Sequence, residues 1–130
     1  KNERKLARSI PLLLQKGIRV SLFIAPEAEQ VRMAVRLKAD AIEIHTGRYA
    51  EARSEGEVKR ELSRISDAAR LAAKSGLWVA AGHGLHYQNV RPVAEIREIL
   101  ELNIGHSIIA RAIFVGLEAA VREMKRLMTP

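Results

Sequence analysis

Three short apolar stretches of this chain end in the same way, with a polar side chain beside glycine. They are Val79-Ala80-Ala81-Gly82-His83-Gly84, Leu102-Asn103-Ile104-Gly105-His106 and Ala41-Ile42-Glu43-Ile44-His45-Thr46-Gly47. Each reads as a strand whose C-terminal end delivers a reactive side chain into a turn. Glycine on both sides of His83 removes bulk, so a ligand can approach the imidazole and the backbone N–H groups closely. Strand ends of this kind form one reaction site when they lie at the same end of a parallel sheet.

The segments between them fit that requirement. Residues 2–16 read as a helix with Leu6, Ile10, Leu13 and Leu14 on one face. Pro11 either kinks it or starts a second turn capped by Ser9, and Gly17 ends it. Ile18 to Ile24 is the first strand. Pro26 opens a helix to about Lys38, with Val31, Ala34, Val35 and Leu37 available for burial. Asp40 to His45 is the second strand, followed by a loop from Thr46 to Arg53. Ser54 and Glu57 form a capping box before a long helix bearing Val58, Leu62, Ile65, Ala69, Ala72 and Ala73, which Gly76 stops. Leu77 to Ala81 is the third strand. Asn89 caps a short helix, Leu102 to Ile104 is the fourth strand, and two helical pieces follow, about 107–114 and 117–128.

Strands alternating with helices predict an α/β fold of parallel strands joined by right-handed crossovers. Four such units are half of a (β/α)8 barrel, which needs about 250 residues when complete. A small open α/β sheet is the alternative.

Composition narrows the function. The 130 residues make one domain, and an aromatic content of 4% leaves a core of Leu, Ile, Val and Ala, without base-stacking platforms. There is no cysteine, so neither a disulfide framework nor a thiolate metal site is expected. No run of about 18 apolar residues predicts a membrane span. The charged N-terminus lacks the apolar region of a signal peptide, so a cytoplasmic protein is expected. The formal charge is +7, much of it on the first helix: Lys1, Arg4, Lys5, Arg8, Lys16 and Arg19 against Glu3. With no helix-turn-helix, zinc-finger or RNA-recognition signature, that face reads as solvated rather than as a nucleic-acid site. A positive balance also suits small phosphorylated substrates.

Two groups stand out as acid–base candidates. His83 is a general acid–base or a structural histidine bonded to backbone. Glu43 must point opposite to Ile42 and Ile44. Facing a barrel interior, it has to be paired, protonated or used on a ligand; facing outward, it is ordinary. Gly105, His106 and Ser107 open a helix just after a strand. They form either a phosphate cradle of backbone N–H groups or merely a tight turn. The four histidines, His45, His83, His86 and His106, lack supporting Asp or Cys at ligand spacing, so no metal is expected.

With these stretches in place, the chain resembles the pyridoxine 5′-phosphate synthase family. The likeness is carried by Ile42-Glu43-Ile44-His45-Thr46-Gly47-Arg48-Tyr49-Ala50, Ala81-Gly82-His83-Gly84-Leu85 and Leu102-Asn103-Ile104-Gly105-His106, with Gly17 to Ile24 and Met124 to Met128 agreeing. The resemblance implies a (β/α)8 barrel that condenses 1-deoxy-D-xylulose 5-phosphate with 3-amino-2-oxopropyl phosphate. The products are pyridoxine 5′-phosphate, inorganic phosphate and water, made without a cofactor, in vitamin B6 biosynthesis. It further implies that His83 is the proton donor, that Glu43 stabilises the transition state, and that Gly84, Gly105 and His106 bind the amino-ketone phosphate. The family forms homo-oligomers.

The match is to the C-terminal half of the family's barrel; its first four strands, with further acid–base and sugar-phosphate groups, have no counterpart here. Together with a first residue that is Lys1 rather than Met, this leads to the expectation of a truncated or cleaved piece. Such a piece is inactive alone, and pairs with the missing half or a second copy of itself. The alternative expectation is a non-catalytic phosphate-binding half-barrel or assembly module.

Overall fold

The structure, a computed structural model, describes residues 3–129. Lys1 and Asn2, assigned above to the first helix, lie outside the described residues. The elements run α1 (Glu3–Gln15), β1 (Ser21–Ile24), α2 (Ala28–Arg36), β2 (Ala41–His45), α3 (Gly47–Ala50), α4 (Glu55–Lys74), β3 (Trp78–Gly82), α5 (Val90–Ala94), β4 (Glu101–Asn103), α6 (His106–Val115) and α7 (Leu117–Met128). The strands form one sheet in the order β1-β2-β3-β4, and every pair is parallel. A doubly wound open sheet reverses its order at a switch point. This one keeps chain order throughout, as successive strands of a barrel do, and it corresponds to half of a (β/α)8 barrel.

Strand alternation gives the sheet two unlike faces. Ile42, Ile44, Val79 and Ala81 point outward and are fully buried against Val31 and Ala34 of α2 and Ile65, Ala69 and Ala72 of α4. The opposite face carries Phe23, Glu43, His45, Gly82 and Asn103. On it Phe23 is 56% exposed and Trp78 43%, so this inner face is the open side. A second apolar cluster sits under α1, where Ile10 packs with Val20 and Leu37. Ala73 proves exposed and Ala68 buried instead, a one-position rotation of the apolar stripe on α4.

Three helix-to-strand turns share one device. After α1, the Ile18 N–H donates to the Leu13 carbonyl and the Gly17 N–H to Leu14. After α2, Ala39 donates to Ala34 and Lys38 to Val35; after α4, Leu77 donates to Ala72 and Gly76 to Ala73. Each is a Schellman closure, which needs a left-handed residue just past the helix. Gly17 (φ +71°) and Gly76 (φ +81°) supply it easily, but the middle turn uses Lys38 (φ +59°).

Several expectations are corrected. Strand β1 starts at Ser21, not Ile18, because pairing begins at Ser21↔Ala41. Before that point the Asp40 carboxylate takes the Val20 N–H at 2.7 Å. Pro26 precedes the cap residue Glu27 instead of opening α2, since the Glu27 N–H closes a turn onto Ala25. Helix α1 runs unbroken through Ser9 and Pro11, so Ser9 caps nothing. The loop after β2 contains the helical turn α3, too short to show periodicity. Asn89 stands at the cap position of α5 but makes no capping bond. Its side chain instead accepts from the His86 N–H and donates to the Gly84 carbonyl. The capping box at Ser54 and Glu57 is present, with both reciprocal bonds.

Replacing Lys38 by glycine relieves a left-handed non-glycine residue, so Lys38→Gly is expected to stabilise the chain by about 0.5–1 kcal/mol in urea unfolding. At the start of α4, the N–H groups of Arg53 and Ser54 donate to the Glu57 carboxylate. They hold its carboxyl below the ordinary carboxylate range. The folded value lies below the unfolded one, so this stabilisation is present above the unfolded value and is lost as pH falls through the folded one. Melting curves across the carboxylate range should therefore show Glu57→Gln losing less stability on acidification than the parent.

Candidate active site

The site lies where parallel strands end. β2, β3 and β4 finish at His45, Gly82 and Asn103, which are register partners across the sheet. Phe23 of β1, Glu43 of β2, Asn103 of β4 and the segments that follow β3 and β4 line a cleft of about 540 Å³. His83, Glu43, Gly84, Gly105 and His106, singled out from the sequence on separate grounds, all line this one cleft. Glu43 takes the inward position of the two open to it. Among the described residues no Lys or Arg lines the cleft.

His83 occupies a costly backbone conformation. Its φ is +83°, and Gly84 follows at +77°. A side chain on Gly84 is barred twice, by that φ and by the Ala50 Cβ, which would lie 2.6 Å from an added Cβ. A non-glycine residue in the left-handed region needs outside support. Thr46, fully buried at the end of β2, provides it: its N–H donates to the Gly82 carbonyl at 2.9 Å. Its hydroxyl shares one proton between the Gly82 and His83 carbonyls, at 2.7 and 2.6 Å. Further along, the Ser107 hydroxyl donates to the Leu85 carbonyl at 2.9 Å and ties this loop to the first turn of α6. Tyr49 donates its phenol to the Asn89 carbonyl at 2.7 Å. Burial pushes that phenol above its ordinary range, which keeps it a neutral donor.

The His83 ring is stacked. It lies over the His45 imidazole with centroids 4.7 Å apart and planes 25° apart, and Phe23 meets His45 edge-on at 5.0 Å. Nδ1 of His45 accepts the Gly47 N–H at 3.4 Å, so any proton on a neutral His45 ring sits on Nε2. The Glu43 carboxylate, which also lines the cleft, accepts from the Asn103 amide at 2.8 Å. The first-turn N–H groups of α6 have no partner within the helix, and no side chain caps Gly105.

Thus Phe23 and Asn103 line the cleft and His45 and Thr46 support the His83 segment, although the sequence reading gave none of the four an individual role. The alternation that put Glu43 on a distinct face also puts His45, two residues on, on that same face. For Asn103 the signal is its place as the last strand residue before Ile104-Gly105-His106. Among the described residues no three His, Asp or Glu side chains converge as a metal site would require.

Comparison with known proteins agrees with this architecture. The model of the family described as pyridoxal phosphate biosynthesis protein PdxJ matches residues 1–130. A pyridoxine 5′-phosphate synthase of Legionella pneumophila (strain Paris) is 57% identical over 121 residues, covering 93% of this chain and 49% of the relative. One from Magnetococcus marinus is 50% identical over 127 residues, 98% of this chain and 52% of the relative. The chain therefore spans about half the length of these curated relatives. With a match across its whole length, the chain belongs to the PdxJ family of pyridoxal phosphate biosynthesis proteins.

Proposed function

We propose that this chain supplies the second half of a pyridoxine 5′-phosphate synthase active site. In this reading it seats the amino-ketone phosphate and delivers a proton during condensation with 1-deoxy-D-xylulose 5-phosphate. The observation that carries the reading is the convergence of His83, Glu43 and the uncapped N-terminus of α6 on one cleft. Unpaired N–H groups at Gly105 and His106 and the helix dipole attract an anion without a cationic side chain. Loss of water and of phosphate each requires a proton on a departing oxygen, and an imidazole held at a strand end is suited to give it. A carboxylate in the same cleft stabilises positive charge as it develops.

The chain works, on this reading, with the other half of the barrel, either in one polypeptide or as a second chain, and in a homo-oligomer in the cytoplasm. The physical support is the open inner face and the two unpaired sheet edges, β1 and β4. Among the described residues no helix is long and apolar enough to cross a membrane.

Two measurements test this. Titrating inorganic phosphate into the labelled chain should move the Gly105 and His106 amide resonances first; shifts confined to α1 would refute the cradle. In protein containing both halves, His83→Gln should slow pyridoxine 5′-phosphate formation by about 10²–10⁴ with the fold intact. A variant as fast as the parent removes His83 from the proposal.

A further inference from the structure

We propose that Asn103 and Gly82 form a positioning device for the Glu43 carboxylate, with Asn103 as donor and Gly82 as the slot the carboxylate lies in. The inference rests on the reading of Glu43 given above. Strand β3 separates β2 from β4, so Glu43 must reach across a whole strand to meet Asn103. It does so, with the Asn103 amide nitrogen 2.8 Å from Oε2. The crossing passes over Gly82, the register partner of both His45 and Asn103. A Cβ built on Gly82 would stand 2.5 Å from Glu43 Oε1, 2.8 Å from the Asn103 carbonyl oxygen and 3.1 Å from the Asn103 Cβ. The last strand residue of β3 is thus glycine at the one place where a side chain would lie between the carboxylate and its partner. Nothing in the φ of Gly82 demands glycine; the crossing carboxylate and the close approach of the Asn103 backbone carbonyl do.

The kind of partner matters. None of the ion pairs among the described residues includes Glu43. An arginine or lysine in place of Asn103 would orient the carboxylate and also neutralise it. A neutral amide fixes one oxygen and leaves the full negative charge for the substrate. Asn103 also lies two residues before Gly105, so the segment that seats a phosphate at α6 carries the group that sets Glu43. Asn103 touches the carboxylate, not the reacting atoms, and is a positioning residue.

The experiment is a double-mutant cycle on pyridoxine 5′-phosphate formation, in protein holding both barrel halves, with melting curves to confirm folding. Asn103→Leu keeps about the same side-chain size, removes the donor and adds no charge. It should lower kcat about ten- to hundredfold while changing KM for the amino-ketone phosphate less than about threefold. Gly82→Ala should do the same by displacing the carboxylate. Adding Asn103→Leu to Glu43→Gln should cost no more than about a further twofold, because the positioned group is already gone. If Glu43→Gln is slow but Asn103→Leu matches the parent, or if the two losses multiply, the device is refuted and the role of Glu43 stands. If Glu43→Gln itself matches the parent, both fall.

Discussion

The Thr46 hydroxyl holds a single proton between two carbonyl oxygens, those of Gly82 and His83, and the cleft is built outward from that contact. A parallel sheet leaves the last carbonyls of its strands pointing into the loops that follow. Buried without a donor, such groups cost about 1–3 kcal/mol each. Thr46 satisfies two of them from the neighbouring strand, and in doing so clamps the end of β3 to the end of β2. The clamp falls on the residue that most needs it, because His83 sits at φ +83°. The strain is local and its support is local. The same buried threonine opens α3, whose Gly47 N–H reaches the His45 ring and whose Ala50 packs over Gly84. Backbone, imidazole stack and loop are therefore one connected unit.

The two faces of the sheet divide the work. The outer face is held by close apolar packing of Ile42, Ile44, Val79 and Ala81 under α2 and α4, and it fixes the strand register. The inner face carries little of that burden. Phe23, Glu43, His45 and Asn103 are open or half-open there, so their identities are set by what they do to one another and to a ligand. α6 is loosely attached by comparison. No residue of it is buried, Ile113 and Phe114 are 78% and 83% exposed, and its Ser107 bond to the β3 loop is what anchors its first turn to the cleft.

Much of the fold was legible because the physics involved was local. Gly17 and Gly76 marked helix ends, Ser54 and Glu57 marked a helix start, and strand–helix alternation marked the parallel sheet. The failures share a cause too. Lys38 takes a conformation normally left to glycine, and only the surrounding Schellman bonds reveal why. Pairing with β2, a long-range event, decides where β1 begins. Asn89 looks like a cap, yet a tighter turn captures its side chain. The residues proposed for the site were recoverable from strand ends and glycine flanks. Their supports were not, because Thr46, His45 and Asn103 act across strands that are distant in sequence. Glu43 and Asn103 are 60 residues apart, and no local pattern links them.

Among the described residues no Lys or Arg lines the cleft, and this shapes the chemistry proposed for it. A net charge of +7 draws anions toward the molecule as a whole, whereas the cleft lining offers backbone N–H groups, the Asn103 amide, the Ser107 hydroxyl and imidazoles beside the Glu43 carboxylate. On the proposed reading, backbone N–H groups at α6 hold the anion by geometry, without quenching a nearby carboxylate as an ammonium would. Under the proposed function Glu43 and a bound phosphate share this cleft, each held by neutral donors, with His83 and His106 also lining it. On the reading proposed above, Asn103 fixes the place of the Glu43 carboxylate through a bond to one oxygen, and Gly82 leaves room for that bond by lacking a side chain.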